Sequence, residues 1–176
     1  MSLIPQPESQ EYAPFYSDYI QRASTRGDVT AALSLQPDEM KSALGKLSDS
    51  QARFKPGPQE WSIKEVVSHL IDGERVFSYR LLRVSRKDKT PIPGFEQDDY
   101  VREANADEVP LTNLLDEFTF LRRANTLAIQ NMSASALAEI GTASGNPISA
   151  RALVYMLVGH VEHHMASLHE KYLPFA

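Results

Sequence analysis

Four of the chain's five histidines lie near its C-terminal end, at His160, His163, His164 and His169, and the fifth, His69, stands alone. Neutral imidazole is the commonest protein ligand for a transition metal, so their spacing is the first question. On a helix advancing about 100° per residue, Leu153, Leu157, Val161 and Leu168 form a core-facing stripe. His164 falls inside that stripe and His160 at its edge on the same side, whereas His163 lies farther round and His169 on the opposite flank. The i, i+4 pair His160 and His164 can therefore reach one point inside a bundle, the spacing by which one helix offers two nitrogen ligands. Histidines on an amphipathic helix also serve as hydrogen-bonded core or rim residues, and such pairs arise by chance. The spacing leaves both readings open.

Two catalytic signatures are excluded. A zinc-peptidase motif needs Glu directly after the first His, where this chain has Val161, and Glu162 is expected on the far, solvent side of the helix. A zinc deaminase needs a pair of cysteines, and the chain has none, which also removes disulfides and thiolate ligands. His69 lies on a flank of its own helix in line with Val66, Gly73 and Val76, and Gly73, one turn on, would leave room beside the imidazole. Taken alone, His69 reads as a polar boundary residue, and periodicity does not bring it to the other two.

The elements that must position these residues are helical. Residues 1–12 are polar and proline-containing and read as a loose arm, followed by a helix from Phe15 to Arg22. Asp28 caps a short segment, Val29 to Leu35, and Pro37 is expected to open a separate helix running to about Leu47. Ser62 and Glu65 form a capping box, with Trp61 and Val66 placed as a hydrophobic staple, and the helix they open runs to about Arg86. Lys87 to Tyr100 reads as a long loop, one that could lid a site with Phe95 and Tyr100 as its wall. A third long helix spans about Thr112 to Asn131, Gly141 to Pro147 is a turn or small hairpin, and Ser149 caps a last helix to Tyr172. The sum is an all-α, single-domain four-helix bundle over residues 1–176, with short extra helices.

With 42% hydrophobic residues and 23% charged, the 176-residue chain suits a packed core, and its net charge of −5 argues against a nucleic-acid partner. The run Arg75, Arg80, Arg83, Arg86, Lys87, Lys89 could bind anions or nucleic acid, but reads more simply as a solvated helix end. The start lacks the basic and apolar regions of a signal peptide, and no apolar run approaches the ~20 residues that span a bilayer, so a cytoplasmic protein with no membrane partner is expected.

Taken together, several segments resemble the DinB-like superfamily and, within it, the YfiT-like metal-binding proteins. They are Trp61-Ser62-Ile63-Lys64-Glu65-Val66-Val67-Ser68-His69-Leu70, Arg80-Leu81-Leu82, Pro93 through Tyr100, Leu121-Arg122-Arg123-Ala124, and Gly159-His160-Val161-Glu162-His163-His164. Each is short; their order and separations, over about Phe15 to Leu173, are specific. The resemblance implies a four-helix bundle with three histidine ligands, carried over by motif position to His69, His160 and His164, and assigns no ligand role to His163. It implies a divalent ion, zinc or nickel, with coordination positions left open, and binding that weakens below about pH 6.5, where free imidazole protonates. Asp72 and Glu65 are candidate partners for His69, and one of Arg122 and Arg123 is a candidate to point inward. No catalytic acid or base is identified.

Three functional readings follow. The first is a metal-dependent enzyme on a small molecule, a hydrolase or a transferase using a low-molecular-weight thiol. The second is a metal-binding stress protein without turnover. The third is a nucleic-acid partner, disfavoured by charge. The resemblance also makes a homodimer an expectation.

Overall fold

The computed structural model describes residues 3–176; Met1 and Ser2, which belong to the expected arm, lie outside the described residues. Pro14 opens a 3₁₀ turn (Pro14–Tyr16) that runs into helix α1, Ser17–Thr25. Asp28 caps α2, Val29–Leu44, its carboxylate accepting from Thr30 N at 2.9 Å. Pro37 does not divide this helix as expected but sits inside it. Its ring removes one helical N–H and crowds the carbonyl four residues back, at a cost of about 3 kcal/mol. Leu33, Pro37, Met40 and Leu44 nevertheless share one buried face, and continuous burial outweighs the local defect.

A short helix α3, Asp49–Ala52, precedes α4, Ile63–Ser85. The box at the start of α4 is formed in full: Ser62 Oγ accepts from Glu65 N at 3.0 Å, and Glu65 Oε2 from Ser62 N at 2.7 Å. The expected long loop is shorter than the sequence suggests, because residues from Gln97 onward form α5, Gln97–Ala104. Then come α6, Leu111–Gln130, and α7, Ala134–Leu137. Two short strands, β1 (Ile140–Ala143) and β2 (Asn146–Ser149), pair antiparallel as the hairpin, and Ile92 bridges onto Ala143. Ser144 and Gly145 both take positive φ at its tip, as a two-residue turn of this hand requires. Ser149 Oγ caps α8, Ala150–Lys171.

Helices α2, α4, α6 and α8 make the four-helix bundle, with α6 between α2 and α4 and α8 closing the ring from the other side. From Ala152 to Val161 α8 is buried on every face, because α1 covers the side the bundle leaves open. Gly159 permits that cover: a Cβ there would lie 1.9 Å from the Tyr19 carbonyl oxygen. The N-terminal segment is not loose. Glu11 is buried against Arg151, whose guanidinium holds its carboxyl down at about 2 against the opposing effect of burial, and Tyr155 Oη donates to Ile4 O at 3.0 Å. Polar sequence misled here because the polar atoms are paired.

The core divides into two apolar clusters. One gathers α1, the hairpin and the first half of α8, and includes Phe77 and Leu81; the other includes Met40, Leu70, Phe118 and Leu168. Between them each main helix contributes polar residues: Gln36, Glu74, Arg122 and His160. Arg122 Nε donates to Glu74 Oε1 at 2.9 Å, Asn125 Nδ2 to Glu74 Oε2 at 2.8 Å, and Arg122 Nη2 to Leu157 O at 2.8 Å. Gln36 Oε1 accepts from Arg122 Nη1, while its amide donates to Val158 O at 3.0 Å. Arg122 is thus the inward member of the arginine pair, and Arg123 is exposed.

Gly159→Ala should cost about 3 kcal/mol despite alanine's better helix propensity, because the added methyl forces α1 off α8. Thermal unfolding should show a midpoint lower by on the order of 10 °C. An unchanged midpoint would mean that α1 is not seated as described.

Candidate metal centre

The polar layer sets the register of α8 against α4, and with it the position of His160. Its imidazole lies over Gly73, where a Cβ would come within 2.6 Å of both Nδ1 and Cε1. The room that Gly73 leaves is therefore for His160, not for the His69 ring expected there. His160 Nε2 stands 2.9 Å from His69 Nε2. One turn along α8, His164 closes the group, with ring centroids 4.9 Å from His69 and 4.8 Å from His160, and 4.8 Å separating His69 and His160. One ligand nitrogen from each ring lies within 4.8 Å of the others. A tetrahedral ion with metal–nitrogen bonds near ~2.1 Å holds its nitrogens roughly 3.4 Å apart, so small ring rotations suffice for the set to fit. The sequence left the meeting of His69 with the other two to the resemblance; the structure brings them together.

Burial decides the protonation of these rings. His69 and His160 are each only 4% exposed, and His164 is half-buried. Desolvation pulls His69 down to about 4, opposed by the charge of Asp98, and His164 down to about 3. His160 falls well below the ordinary value, first through burial and then through its neighbours His164, His69 and His163 and the Arg122 guanidinium. All three rings are neutral near pH 7, the form that ligates.

Aromatic packing rather than hydrogen bonding orients them. Trp61 lies 4.8 Å from His69 by ring centroids, and Tyr19 and Phe77 lie 5.3 and 5.5 Å from His160. Neither carboxylate suggested as a partner for His69 fills that role: Glu65 pairs with Lys55 at 2.7 Å beside its cap, and Asp72 makes no hydrogen bond to the ring. Apart from the His69–His160 contact, no protein group hydrogen-bonds these three imidazoles among the described residues. His163 turns away to Asp18, at 2.9 Å, and His169 is exposed. Glu162 is 25% exposed and faces α2, where it accepts from Gln36 and pairs with Arg26, so the solvent side expected for it is corrected.

Two openings reach the histidines. A cavity of about 400 Å³ exposes His69 and His160 to a wall that includes Tyr19, Phe77, Phe95 and Arg80. A cleft of about 300 Å³ on the other side is lined by Trp61, His164 and Tyr172. Asp98, at the start of α5, borders both. Of the two expected lid residues, Phe95 lines the cavity, while Tyr100 is half-exposed and packs on Phe95 at 5.1 Å. Asp98 and Arg80 went unrecognised as site residues. The usable signal for Arg80 was its spacing, since His69, Gly73, Phe77 and Arg80 share one face of α4. The basic run itself dissolves into separate contacts: Arg75 pairs with Glu117, Arg83 with Asp88, and Lys87 and Lys89 with Glu139.

The family model of the DinB superfamily matches residues 32–168 of the chain. Among solved structures the fold is similar to that of YfiT from Bacillus subtilis, described as a probable metal-dependent hydrolase with an unusual four-helix bundle topology. The TM-score is 0.75 at 18% sequence identity, covering 91% of each chain. At that identity the likeness speaks for the fold. No curated protein matches the sequence.

The buried rings make metal-free stability depend on pH. Below about 6.5 the unfolded chain binds protons that folded His69 and His164 refuse, so their contribution is intact above that value and is lost as pH falls toward 4. At about 1.4 kcal/mol per pKa unit, His69 alone should cost the metal-free protein roughly 3 kcal/mol across this window. Urea unfolding in the presence of chelator should show this slope, and His69→Gln should make it shallower, with His160 and His164 keeping the remainder. A wild-type midpoint that does not move between these pH values would refute the neutral, buried assignment.

Proposed function

The chain belongs to the DinB superfamily, and from that premise we propose that His69, His160 and His164 hold one divalent metal ion with which the protein acts on a small organic substrate. The observation that carries the proposal is the convergence of three neutral, largely buried imidazoles, two of which, His69 and His160, line a cavity of about 400 Å³. A structural ion is usually enclosed by four protein ligands; three leave positions open toward the cavity, the arrangement of catalytic sites. The group would supply Lewis acidity, lowering the pKa of a water or a thiol toward neutrality and polarising a carbonyl. Zinc and nickel both suit a set of nitrogens. Hydrolysis is favoured over thiol transfer, because water needs no binding site of its own and YfiT, of similar fold, is described as a probable metal-dependent hydrolase. The aromatic cavity beside the histidines favours this reading over a metal-binding protein without turnover.

The chain's own residues have definable tasks. Tyr19, Phe77 and Phe95 receive the apolar part of the substrate and exclude water from it. Trp61 fixes the His69 ring, and Gly73 sets how closely His160 approaches α4. Asp98 borders both openings, and its negative charge acts on His69; it is the carboxylate placed to take up a proton from an activated nucleophile. Because burial keeps the imidazoles neutral well below the pKa of free histidine, proton competition for the ligands sets in nearer pH 4 than the 6.5 expected from sequence.

Elemental analysis of purified protein should give about one ion per chain, and His160→Ala should lose it. Gly73→Ala replaces no ligand, yet its methyl collides with the His160 ring and should weaken metal affinity by about 10- to 100-fold. With an ester and amide panel, Asp98→Asn should lower kcat while metal content stays the same. A fully loaded protein inert toward every ester, amide and thiol acceptor would leave the non-catalytic reading standing.

A further inference from the structure

Arg80 differs from the other arginines withdrawn from solvent in this protein. Arg122 is paired with Glu74, Arg151 with Glu11 and Arg83 with Asp88. Arg80 is 2% exposed, and among the described residues no carboxylate lies within ion-pairing distance of it. Its acceptors are three neutral oxygens: Ser144 Oγ at 3.0 Å, Pro93 O at 3.3 Å and Tyr16 Oη at 3.4 Å. Arg80 Nε is buried without an acceptor. A desolvated guanidinium keeps its charge, so this centre is left electrically uncompensated.

The two hydroxyls sharpen the point. Each accepts from Arg80 and donates to no protein atom among the described residues, so their hydrogens are left to face the cavity that Tyr16, Arg80 and Ser144 all line. Three donor side chains and a positive charge thus meet with no anion among them. Ser144 is held there by a left-handed backbone (φ 51°) at the hairpin tip, an uncommon conformation for a serine, and its N–H is tied to Ile92 O at 2.9 Å. The cavity's own carboxylates, Glu96 and Asp98, are exposed and accept from none of the three donors.

Arg80 follows His69 by eleven residues on the same face of α4, roughly 16 Å along the axis, and helical side chains lean back toward the helix start. We infer that Tyr16, Arg80 and Ser144 form an anion subsite, and that the substrate is a small organic anion whose carboxylate or phosphate docks there while its reactive group faces the imidazoles. Tyr16 and Phe77, 6.4 Å apart by ring centroids, and Phe95 flank the apolar body between. The substrate orientation rests on the proposed function; the subsite itself does not.

Calorimetric titration of the full chain with phenylacetate, phenyl phosphate and the uncharged phenylacetamide tests this, both metal-loaded and after chelation. At least one anion should bind about tenfold or more tightly than the amide, and the stronger of the two identifies the docking group. The preference should survive chelation, and should persist even if the protein holds no metal, so failure here is separate from failure of the metal reading. Arg80→Gln should abolish the preference with unchanged metal content. Tyr16→Phe, which removes one hydroxyl from a partly exposed ring, should weaken anion binding several-fold and leave amide binding unaltered. Equal affinity for anions and amide, a preference that vanishes with the metal, or full preference in Tyr16→Phe would overturn the inference.

Discussion

Arg122 and Glu74 are sealed together in the middle of the bundle, and a charge in that position cannot be left without its partner. Removing one member of such a pair costs about 3–5 kcal/mol, whereas sliding either helix by a turn would strand both. The pair therefore acts less as a source of stability than as a register mark. Gln36 and the Leu157 carbonyl extend it to α2 and α8, so all four main helices are indexed to one level. Apolar packing above and below could be satisfied in several registers; the polar layer is satisfied in one.

The candidate site inherits its geometry from that level. Gly73 precedes Glu74, and His160 follows the Leu157 carbonyl by three residues, so indexing the layer brings the His160 ring over Gly73 and within reach of His69. Gly159, next to His160, lets α1 press Tyr19 against the other side of the same ring. Two glycines thus clamp one imidazole between α4 and α1. The Arg122 charge also reaches His160 and helps keep it neutral, which links the structural ion pair to the ligating form of the site.

Much of this was readable in the sequence where the signal was local. The Ser62–Glu65 box and the Ser149 cap depend on near neighbours, and the structure reproduces both, whereas the single core-facing stripe expected on α8 is widened to every face from Ala152 to Val161 by the cover of α1. What could not be read depended on partners distant in sequence. Pro37 is a breaker by local rules and is overridden by burial against other helices. Glu162 looks solvent-facing on a helical wheel until α2, more than a hundred residues earlier, covers it. Arg80 falls within a run of cations that resembles a solvated face, and only the return of the hairpin at Ser144 shows that it is enclosed. The His69 meeting has the same character: one motif lies on each of two helices, and periodicity describes each helix alone.

A native interior satisfies nearly all of its buried polar groups, which makes the exceptions informative. In the polar layer Arg122, Glu74, Asn125 and Gln36 account for one another's hydrogen bonds, and at the N-terminal segment Glu11 and Arg151 do the same. Around the cavity the accounting fails twice. Three imidazoles have lone pairs and no donor beyond themselves, and a guanidinium with two hydroxyls has donors and no anion. The two deficits are of opposite kind, one calling for a cation and the other for an anion, and His69 and His160 share a cavity with Arg80. Local pairing was available elsewhere in the same fold, and its absence around this cavity is what a bound cation and a bound anion would account for.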